Sequence, residues 1–292
     1  MNGAGVMYNG PWRDDVAIGK DSGEIPEAAL VATHFSNALH YIPICVFVWR
    51  DEQTLLLSVP GNKTNNWSND KTKKLFKMML IKFVSAYEPP FVFLGNENDF
   101  YYQQNPNDYL NWINFYNTAY EAIKKVSPHT LIGPVFNFEH LSGSGQLNGW
   151  ISPNWKALDA HDLNKIDILG ITLYPFFAYP QPDLIPKNYL DPLLKHAGFT
   201  KPIALIETGW PAEESEGFKP PWETSETAQV HYLSRLYGLI EGKKVKIINW
   251  LYLYPPSSAF QGQTQNDKIF GSVSIRDEQG NKRPVYEKWI YF

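Results

Sequence analysis

Beyond residue 68, short apolar runs alternate with longer stretches in which apolar residues recur every three or four positions. The short runs predict buried strands, and the longer stretches predict amphipathic helices. The predicted strands are 91–95, 131–136, 168–173, 203–206 and 245–252. This order predicts a parallel sheet covered by helices, because connections of a dozen or more residues fit right-handed crossovers.

Local signals predict where the helices between these strands begin and end. Ser68 is predicted to cap the first helix, which stops at Pro89-Pro90. Its predicted apolar face is Leu75, Met78, Met79 and Phe83. The second helix begins after Asn105, with Pro106 in its first position. Its predicted apolar face is Leu110, Ile113, Tyr116, Tyr120 and Ile123.

The same signals continue through the second half of the chain. Shorter helices are predicted at 154–160 and at 191–196, the latter terminated by Gly198. A longer helix is closed by Gly242, and its predicted apolar stripe is Val230, Leu233, Tyr237 and Ile240. Because no linker or low-complexity segment interrupts the alternation, a single domain over residues 1–292 is expected.

The first 62 residues do not follow this alternation. The pattern predicts a weak strand at 5–8, a helix at 27–39, and strands at 44–49 and 55–59. Only five residues separate the last two strands, and five residues cannot hold a crossover helix. Either these strands form a hairpin, or a unit of the fold has been lost or remodelled here.

Composition excludes some classes of partner. A net charge of -4 and a charged share of 19% give no basic footprint for nucleic acid. The chain has 10 Trp, 17 Tyr and 17 Phe, and flat aromatic rings pack against sugar rings as well as filling cores. No apolar run approaches the roughly 18 residues of a membrane span. The sequence therefore predicts a soluble protein, or a secreted one whose leader has been removed.

The motifs of metal, cofactor and nucleophilic serine chemistry do not occur. The seven histidines are scattered without the i, i+4 spacing of a helical zinc site, and neither a G-x-S-x-G elbow nor a phosphate-binding loop is found. No metal and no cofactor is predicted. Cys45, the sole cysteine, lies in an apolar run and is predicted to be a buried, inert thiol.

Two predicted strands each end on a glutamate. Glu97 closes the run that begins at Phe91, and Glu207 closes the run that begins at Pro202. Barrel enzymes carry catalytic groups at the carboxyl ends of their strands, and glycosidases use a pair of carboxylates. A charge directly after four apolar residues is costly unless it is used. A catalytic pair is therefore favoured over surface or ion-paired glutamates.

Four motifs in this order resemble clan A of the retaining glycoside hydrolases: Gly95-Asn96-Glu97, Leu173-Tyr174-Pro175, Glu207-Thr-Gly-Trp-Pro211 and Asn249-Trp250. Within that clan, residues 166–176 are similar to the arabinogalactan endo-β-1,4-galactanase family. Residues 207–211 also resemble plant-type endo-β-1,3-glucanases. The resemblance covers residues 55–292. It implies an α/β fold, a TIM-type (β/α)8 barrel with an irregular or shortened N-terminal βα region.

The resemblance also implies roles for the residues in these motifs. Glu97 would be the acid/base and Glu207 the nucleophile, while Asn96 would bind the sugar 2-hydroxyl. The Tyr174 hydroxyl could help to keep the nucleophile ionised. Trp250 resembles the aromatic floor beneath the cleaved sugar, and Trp210 would stand just beyond the nucleophile.

Ordinary packing is the alternative for each tryptophan. It is favoured for four other aromatic residues in predicted loops, Trp67, Trp222, Phe177 and Tyr179. Asn98 and Asp99 either brace the loop after the acid or are plain turn residues.

The expected activity is retaining hydrolysis of a β-linked polysaccharide, a galactan or a glucan, by an endo-acting enzyme with a covalent glycosyl-enzyme intermediate. Two alternatives remain open. A transglycosylase would use the same residues, and a catalytically inactive barrel that binds glycans would fit the irregular N-terminal region. The expected partner is an oligo- or polysaccharide, while the sequence leaves the oligomeric state and the compartment undecided.

Overall fold

A computed structural model describes residues 5–9, 42–47, 57–59, 62–196, 199–256 and 265–291. The strands in these ranges are β1 (Gly5–Asn9), β2 (Ile42–Phe47), β3 (Leu57–Val59), β4 (Asn62–Asn65), β5 (Phe91–Leu94), β6 (Leu131–Gly133), β7 (Val135–Asn137), β8 (Leu169–Leu173), β9 (Ile203–Thr208) and β10 (Val245–Trp250). The α-helices are α1 (Asp70–Tyr87), α2 (Asn98–Gln104), α3 (Pro106–Val126), α4 (Phe138–Ser142), α5 (Lys156–Asp159), α6 (Asp191–Lys195), α7 (Glu226–Ile240), α8 (Gln265–Phe270) and α9 (Pro284–Trp289).

The chain forms two compact units. The first consists of Met1–Phe136 with Trp155–Gly170, and the second of Asn137–Asn154 with Ile171–Phe292. The first unit contains a sheet of strand order β1-β2-β5-β6, in which every pair is parallel. Parallel pairing agrees with the prediction. The second sheet has the order β10-β9-β8-β7, and its strands β9 and β10 pair in parallel.

The N-terminal strands do not form the hairpin that was one of the two alternatives for this region. The predicted strand 44–49 appears as β2, which lies between β1 and β5. The predicted strand 55–59 appears as β3 and pairs antiparallel with the following strand, β4. A hairpin between the two segments is therefore wrong. The described side chains of β2, at 44–47, are all buried, as is typical of a central strand in a parallel sheet.

Two further N-terminal predictions have different outcomes. The weak strand at 5–8 is confirmed as β1, whereas the predicted helix at 27–39 lies outside the described residues. The Cys45 thiol on β2 is buried as predicted, and burial raises its pKa to about 12. A thiol with so high a pKa is rarely ionised at neutral pH and is chemically inert.

The helices of the first unit begin close to the predicted positions. The cap of α1 is Asn69, one residue after the predicted Ser68, and its Oδ1 accepts a hydrogen bond from the Thr72 amide over 3.1 Å. Asn and Ser side chains cap helices equally well, so the local sequence does not decide which of the two residues is the cap. Helix α3 begins at Pro106 as predicted.

The buried faces of α1 and α3 overlap those predicted but are not centred on them. Met79 and Phe83 on α1, and Ile113, Tyr116 and Ile123 on α3, are buried as predicted. On α3, Leu110 is 57% exposed, and the core contains Tyr109, Trp112, Phe115 and Tyr116. These rings belong to one aromatic cluster, in which Trp112 stacks on Phe115 at 5.7 Å. On α1 the buried apolar residues are Phe76, Met79, Leu80, Phe83 and Val84, whereas Leu75 and Met78 are half-buried. Burial of the larger rings decides the orientation, because they remove more apolar area from water.

The predicted strand 131–136 is interrupted. Pro134 separates β6 from β7, and proline cannot donate a hydrogen bond to a sheet ladder. Gly133, immediately before it, packs so closely that an added Cβ would lie 1.6 Å from the Ile168 carbonyl oxygen. The predicted strands 91–95, 168–173, 203–206 and 245–252 are confirmed as β5, β8, β9 and β10.

Helix α7 of the second unit also turns a different face inward. Its described buried positions include Gln229, Tyr232, Leu233 and Leu236, while the predicted Tyr237 is 56% exposed. The buried amide of Gln229 donates hydrogen bonds to the carbonyls of Trp210 and Val273, each over 3.0 Å. A polar side chain whose Nε2 is hydrogen-bonded thus occupies the core, and a pattern of apolar positions does not detect it. None of the described helices is long and apolar enough to cross a membrane.

Candidate active site

Glu97 lies in a tight turn at the carboxyl end of β5. Gly95 and Glu97 both adopt left-handed backbone conformations, with φ values of 78° and 48°. The Gly95 amide donates to the Phe47 carbonyl over 3.0 Å and so continues the ladder between β2 and β5. A side-chain-bearing residue in this region stores about 1–3 kcal/mol of strain, and such residues cluster at functional sites. The Asn96 and Glu97 side chains are half-buried.

The turn is braced by buried polar groups from α2. Asn98 and Asp99 are fully buried, and the Asn98 amide donates to the Leu94 carbonyl over 3.2 Å. Further along the helix, the Tyr101 hydroxyl donates to the Asp108 carboxylate, which also accepts the Trp67 amide over 2.9 Å. Of the two alternatives for Asn98, its bond to the Leu94 carbonyl favours bracing of the loop.

Glu207 lies near the carboxyl end of β9 and is half-buried between fully buried neighbours. Its Oε2 accepts a hydrogen bond from the Tyr174 hydroxyl over 3.1 Å. Tyr174 follows β8, and its side chain is buried. The structure thus brings two of the predicted site residues together. A hydrogen bond donated to a carboxylate stabilises its charged form, as a nucleophile requires.

The backbone around this contact is fixed by further hydrogen bonds. Thr208 Oγ1 donates to the Leu173 carbonyl over 2.8 Å, joining the residues adjacent to Glu207 and Tyr174. Thr208 Oγ1 also lies 2.5 Å from the Tyr232 hydroxyl. Burial raises the pKa of Tyr232, so this phenol stays protonated. Two strand ends are therefore held in register where the carboxylate emerges.

The two predicted sugar-binding tryptophans are buried. Trp210 is fully buried, its Nε1 donates to the Glu223 carbonyl over 2.8 Å, and its ring lies 5.5 Å from that of Tyr232. These contacts favour packing for Trp210. Trp250 keeps 6% of its surface exposed, donates to the Val273 carbonyl over 2.8 Å and packs against Trp289.

The four loop aromatics named above lie among other rings. Trp67 packs against Phe76 and Phe115 in the first unit. In the second unit, Phe177 and Trp222 contact one another, with ring centroids 5.5 Å apart. Those three side chains are buried, whereas Tyr179 is half-buried and packs edge-on against Tyr189. Packing, the favoured alternative, accounts for the buried three.

Glu139 belongs to this region and was not predicted from the sequence. Its fully buried carboxylate accepts the Tyr174 amide over 3.1 Å at Oε2 and the Tyr189 hydroxyl over 3.0 Å at Oε1. A usable signal was present, since Glu139 follows the apolar run 131–136 much as Glu97 and Glu207 follow theirs. Asn137 and Phe138 separate Glu139 from its run just as Gly95 and Asn96 separate Glu97 from Leu94, so the spacing made Glu139 an equal candidate.

The buried His161 of the first unit has a structural role. His161 packs against Tyr116 and Phe136, and its Nε2 lies 3.1 Å from the Tyr109 hydroxyl. Burial lowers the pKa of His161 to about 3, so its ring is neutral at ordinary pH. Within the described ranges, no three His, Cys, Asp or Glu side chains form a group that could hold a metal ion.

Comparison with known proteins relates this site to an enzyme family. The family model described as glycosyl hydrolase family 53 matches residues 63–240, which is more than half of the chain. A search of curated proteins found no match. Solved structures, by contrast, align over almost the whole chain.

Three of these structures illustrate the likeness. A structure of fungal β-1,4-galactanases has 15% identity and a TM-score of 0.65, covering 98% of this chain and 86% of that one. A family 53 catalytic domain from Ignisphaera aggregans has 16% identity and a TM-score of 0.64, covering 98% and 84%. A β-D-glucuronidase from Dictyoglomus thermophilum has 12% identity and a TM-score of 0.62, covering 99% and 49%.

The chain therefore spans about half the length of the glucuronidase and most of the length of the two family 53 and galactanase structures. At these identities the likeness establishes the fold alone. Together with the family match it confirms the predicted class, an α/β fold of the TIM-barrel type.

Proposed function

The chain belongs to glycosyl hydrolase family 53, and on that premise we propose that this retaining glycoside hydrolase is an endo-acting β-1,4-galactanase. The observation that carries the proposal is the hydrogen bond from the Tyr174 hydroxyl to Glu207, at the carboxyl end of β9. Support for galactan comes from the sequence of residues 166–176 and from the fold shared with fungal β-1,4-galactanases.

In the proposed mechanism Glu207 is the nucleophile. Its carboxylate attacks the anomeric carbon, the glycosidic bond breaks, and a covalent glycosyl-enzyme forms. Water then attacks the same carbon and releases Glu207, so that two inversions give net retention. The Tyr174 hydroxyl stabilises the carboxylate both before the attack and after its release.

Glu97 is the proposed acid/base. It protonates the leaving oxygen in the first step and takes a proton from water in the second. The strained turn supports this role, because its rigid backbone limits the positions that the carboxyl group can reach. Retention requires the Glu97 and Glu207 carboxyls to be about 5–5.5 Å apart in the working enzyme.

The remaining predicted residues take binding roles in this proposal. Asn96 donates to the 2-hydroxyl of the sugar at the cleavage point, a bond that strengthens in the transition state. The small exposed surface of Trp250 contacts the same sugar. Trp210 acts indirectly, through its packing against Tyr232.

A substrate screen tests the proposal directly. Purified protein is incubated with β-1,4-galactan, β-1,3-glucan, β-1,4-glucan, mannan and xylan, and the products are separated by length. The expected result is a ladder of galacto-oligosaccharides whose new reducing ends first appear in the β configuration by NMR. Cleavage of β-1,3-glucan alone would overturn the galactanase assignment in favour of the glucanase-like motif at residues 207–211.

The same screen separates the two alternatives left open by the sequence. Products longer than the starting glycan would identify a transglycosylase, because a sugar then replaces water as the acceptor. Binding of galactan without cleavage of any polymer would identify an inactive glycan-binding protein and overturn the proposed hydrolysis.

A further inference from the structure

Glu139 is a buried carboxylate for which the mechanism above has no role. It lies in the first turn of α4 and is fully buried. Removing a carboxylate from water is expensive, and an apolar side chain of similar size often serves packing equally well. Because burial of the Glu139 carboxylate is costly, its value to the protein must come from the groups that it contacts.

One contact of Glu139 leads to the nucleophile. Oε2 accepts the backbone amide of Tyr174, while the hydroxyl of the same tyrosine donates to Glu207. Tyr174 immediately follows β8 and precedes Pro175, so its backbone lies outside the regular ladder and depends on other groups for its position. The Glu139 carboxylate supplies an acceptor at that point.

The other contact holds Glu139 itself in place. Oε1 accepts the Tyr189 hydroxyl over 3.0 Å, and the Ser144 amide donates to the Glu139 carbonyl over 2.9 Å. Burial, aided by the negative charge of Glu139, raises the pKa of Tyr189 well above its ordinary value. Tyr189 therefore remains a protonated donor, and the Glu139 carboxylate is anchored at both oxygens.

We propose that Glu139 is a positioning residue for catalysis: it fixes the backbone of Tyr174 so that the tyrosine hydroxyl is held on the nucleophile. The inference rests on the proposed function, since it takes Glu207 as the nucleophile. Glu139 does not touch the reacting atoms in this scheme. Its effect passes through Tyr174 and should vanish when the Tyr174 hydroxyl is removed.

The test compares Glu139→Met with Glu139→Gln. Methionine fills the space without an acceptor, whereas the glutamine amide oxygen can still accept the Tyr174 amide. Glu139→Met is expected to lower kcat about ten- to a hundredfold, because misplacement of a catalytic group by about 1 Å has effects of this size. KM should change less than about threefold, and Glu139→Gln should restore most of kcat.

A double-mutant cycle with Tyr174→Phe distinguishes positioning from general structural damage. In the Tyr174→Phe background, Glu139→Met should lower kcat less than about threefold, since the hydroxyl that it positions is gone. Tyr189→Phe is a second probe: it removes the hydrogen bond at Oε1 and leaves the acceptor of the Tyr174 amide in the protein, so it should lower kcat less than Glu139→Met does. Equal losses in both backgrounds would overturn the proposal.

Crystal structures provide a readout that does not depend on the substrate. In Glu139→Met the Tyr174 hydroxyl should lie beyond hydrogen-bond distance of Glu207 Oε2, and in Glu139→Gln it should stay within it. An unmoved hydroxyl in Glu139→Met overturns the inference even if the enzyme acts on another glycan. If Glu139→Met does not fold, Glu139→Asp serves instead, because its shorter side chain withdraws the acceptor and retains the charge.

Discussion

The hydroxyl of Tyr174 donates a hydrogen bond over 3.1 Å to Glu207 Oε2, and the backbone amide of the same tyrosine donates over 3.1 Å to Glu139 Oε2. Tyr174 therefore lies between two carboxylates, one half-buried and one fully buried. In the proposed mechanism the half-buried carboxylate reacts and the buried one supports the tyrosine.

Tyr174→Phe should lower kcat/KM by about ten- to a hundredfold, because a charge-assisted hydrogen bond of about 1.5–3 kcal/mol is lost from the nucleophile. The ring remains, so the thermal midpoint should change by only a few degrees. Steady-state kinetics on galactan measures the effect. Tyr179→Phe, at a half-buried tyrosine, is the matched control. An equal loss of kcat/KM in Tyr179→Phe would contradict a specific role for the Tyr174 hydroxyl.

Glu207→Ala should abolish turnover, because no group remains to form the glycosyl-enzyme. Added azide should restore part of the activity by entering the space of the lost carboxylate, and the product should be the inverted glycosyl azide. NMR of the product determines its configuration. Glu121→Ala, at an exposed, ion-paired glutamate, should retain full activity and show no response to azide.

Glu97→Ala should affect substrates according to their leaving groups. Galactan should react about 10²–10⁴-fold more slowly, the usual contribution of general acid catalysis. An aryl β-galactoside with an acidic phenol should form the glycosyl-enzyme at a nearly normal rate, because this leaving group needs no proton. Pre-steady-state release of the phenol measures that step, and equal losses on both substrates would exclude Glu97 as the acid.

Glu97→Gly should stabilise the protein by about 1 kcal/mol while it slows hydrolysis of galactan as much as Glu97→Ala does. The reason is the backbone of Glu97, which has φ 48° and ψ 54° and suits glycine better than a residue with a Cβ. Glu88 provides the matched control, since it has φ 43° at the end of α1. Glu88→Gly should give a similar gain in the midpoint of chemical denaturation with full activity.

His161→Phe should make the protein less sensitive to acid. The pKa of His161 is depressed to about 3 by burial, so the unfolded chain binds a proton at this position at pH values where the folded chain does not. The stability associated with neutral His161 is present above its unfolded pKa of about 6.5. It is lost at up to about 1.4 kcal/mol per pH unit as the pH falls towards 3.

Thermal denaturation between pH 7 and pH 3.5 measures the effect of this change. The variant should show a flatter decline of the midpoint than the wild type, and the Tyr109 hydroxyl keeps its bond to the Ala157 carbonyl in both. His129→Phe, at an exposed histidine, should leave the decline unchanged. Parallel curves for wild type and His161→Phe would contradict the assignment.

Local patterns in the sequence predicted the strands that carry the two proposed catalytic glutamates. Strands β5 and β9 were recognisable because a buried strand needs a continuous apolar run, and a carboxylate within a few residues of the end of such a run is conspicuous. Glu97 and Glu207 could therefore be selected from the sequence alone. The start of α3 at Pro106 was equally local, since proline fits the first turn of a helix.

Contacts between distant residues were decided only in the tertiary structure. Pairing of β3 with β4, exposure of Leu110, and burial of Glu139 against Tyr174 depend on which surfaces meet after folding. Helical periodicity predicts that one face of a helix is apolar. It does not predict whether a leucine or the neighbouring aromatic residues will be buried in the core. The proposed role of the Glu139 carboxylate depends on the Tyr174 amide, 35 residues away in the sequence. Only folding brings the two groups together, because a hydrogen bond requires both partners within about 3 Å.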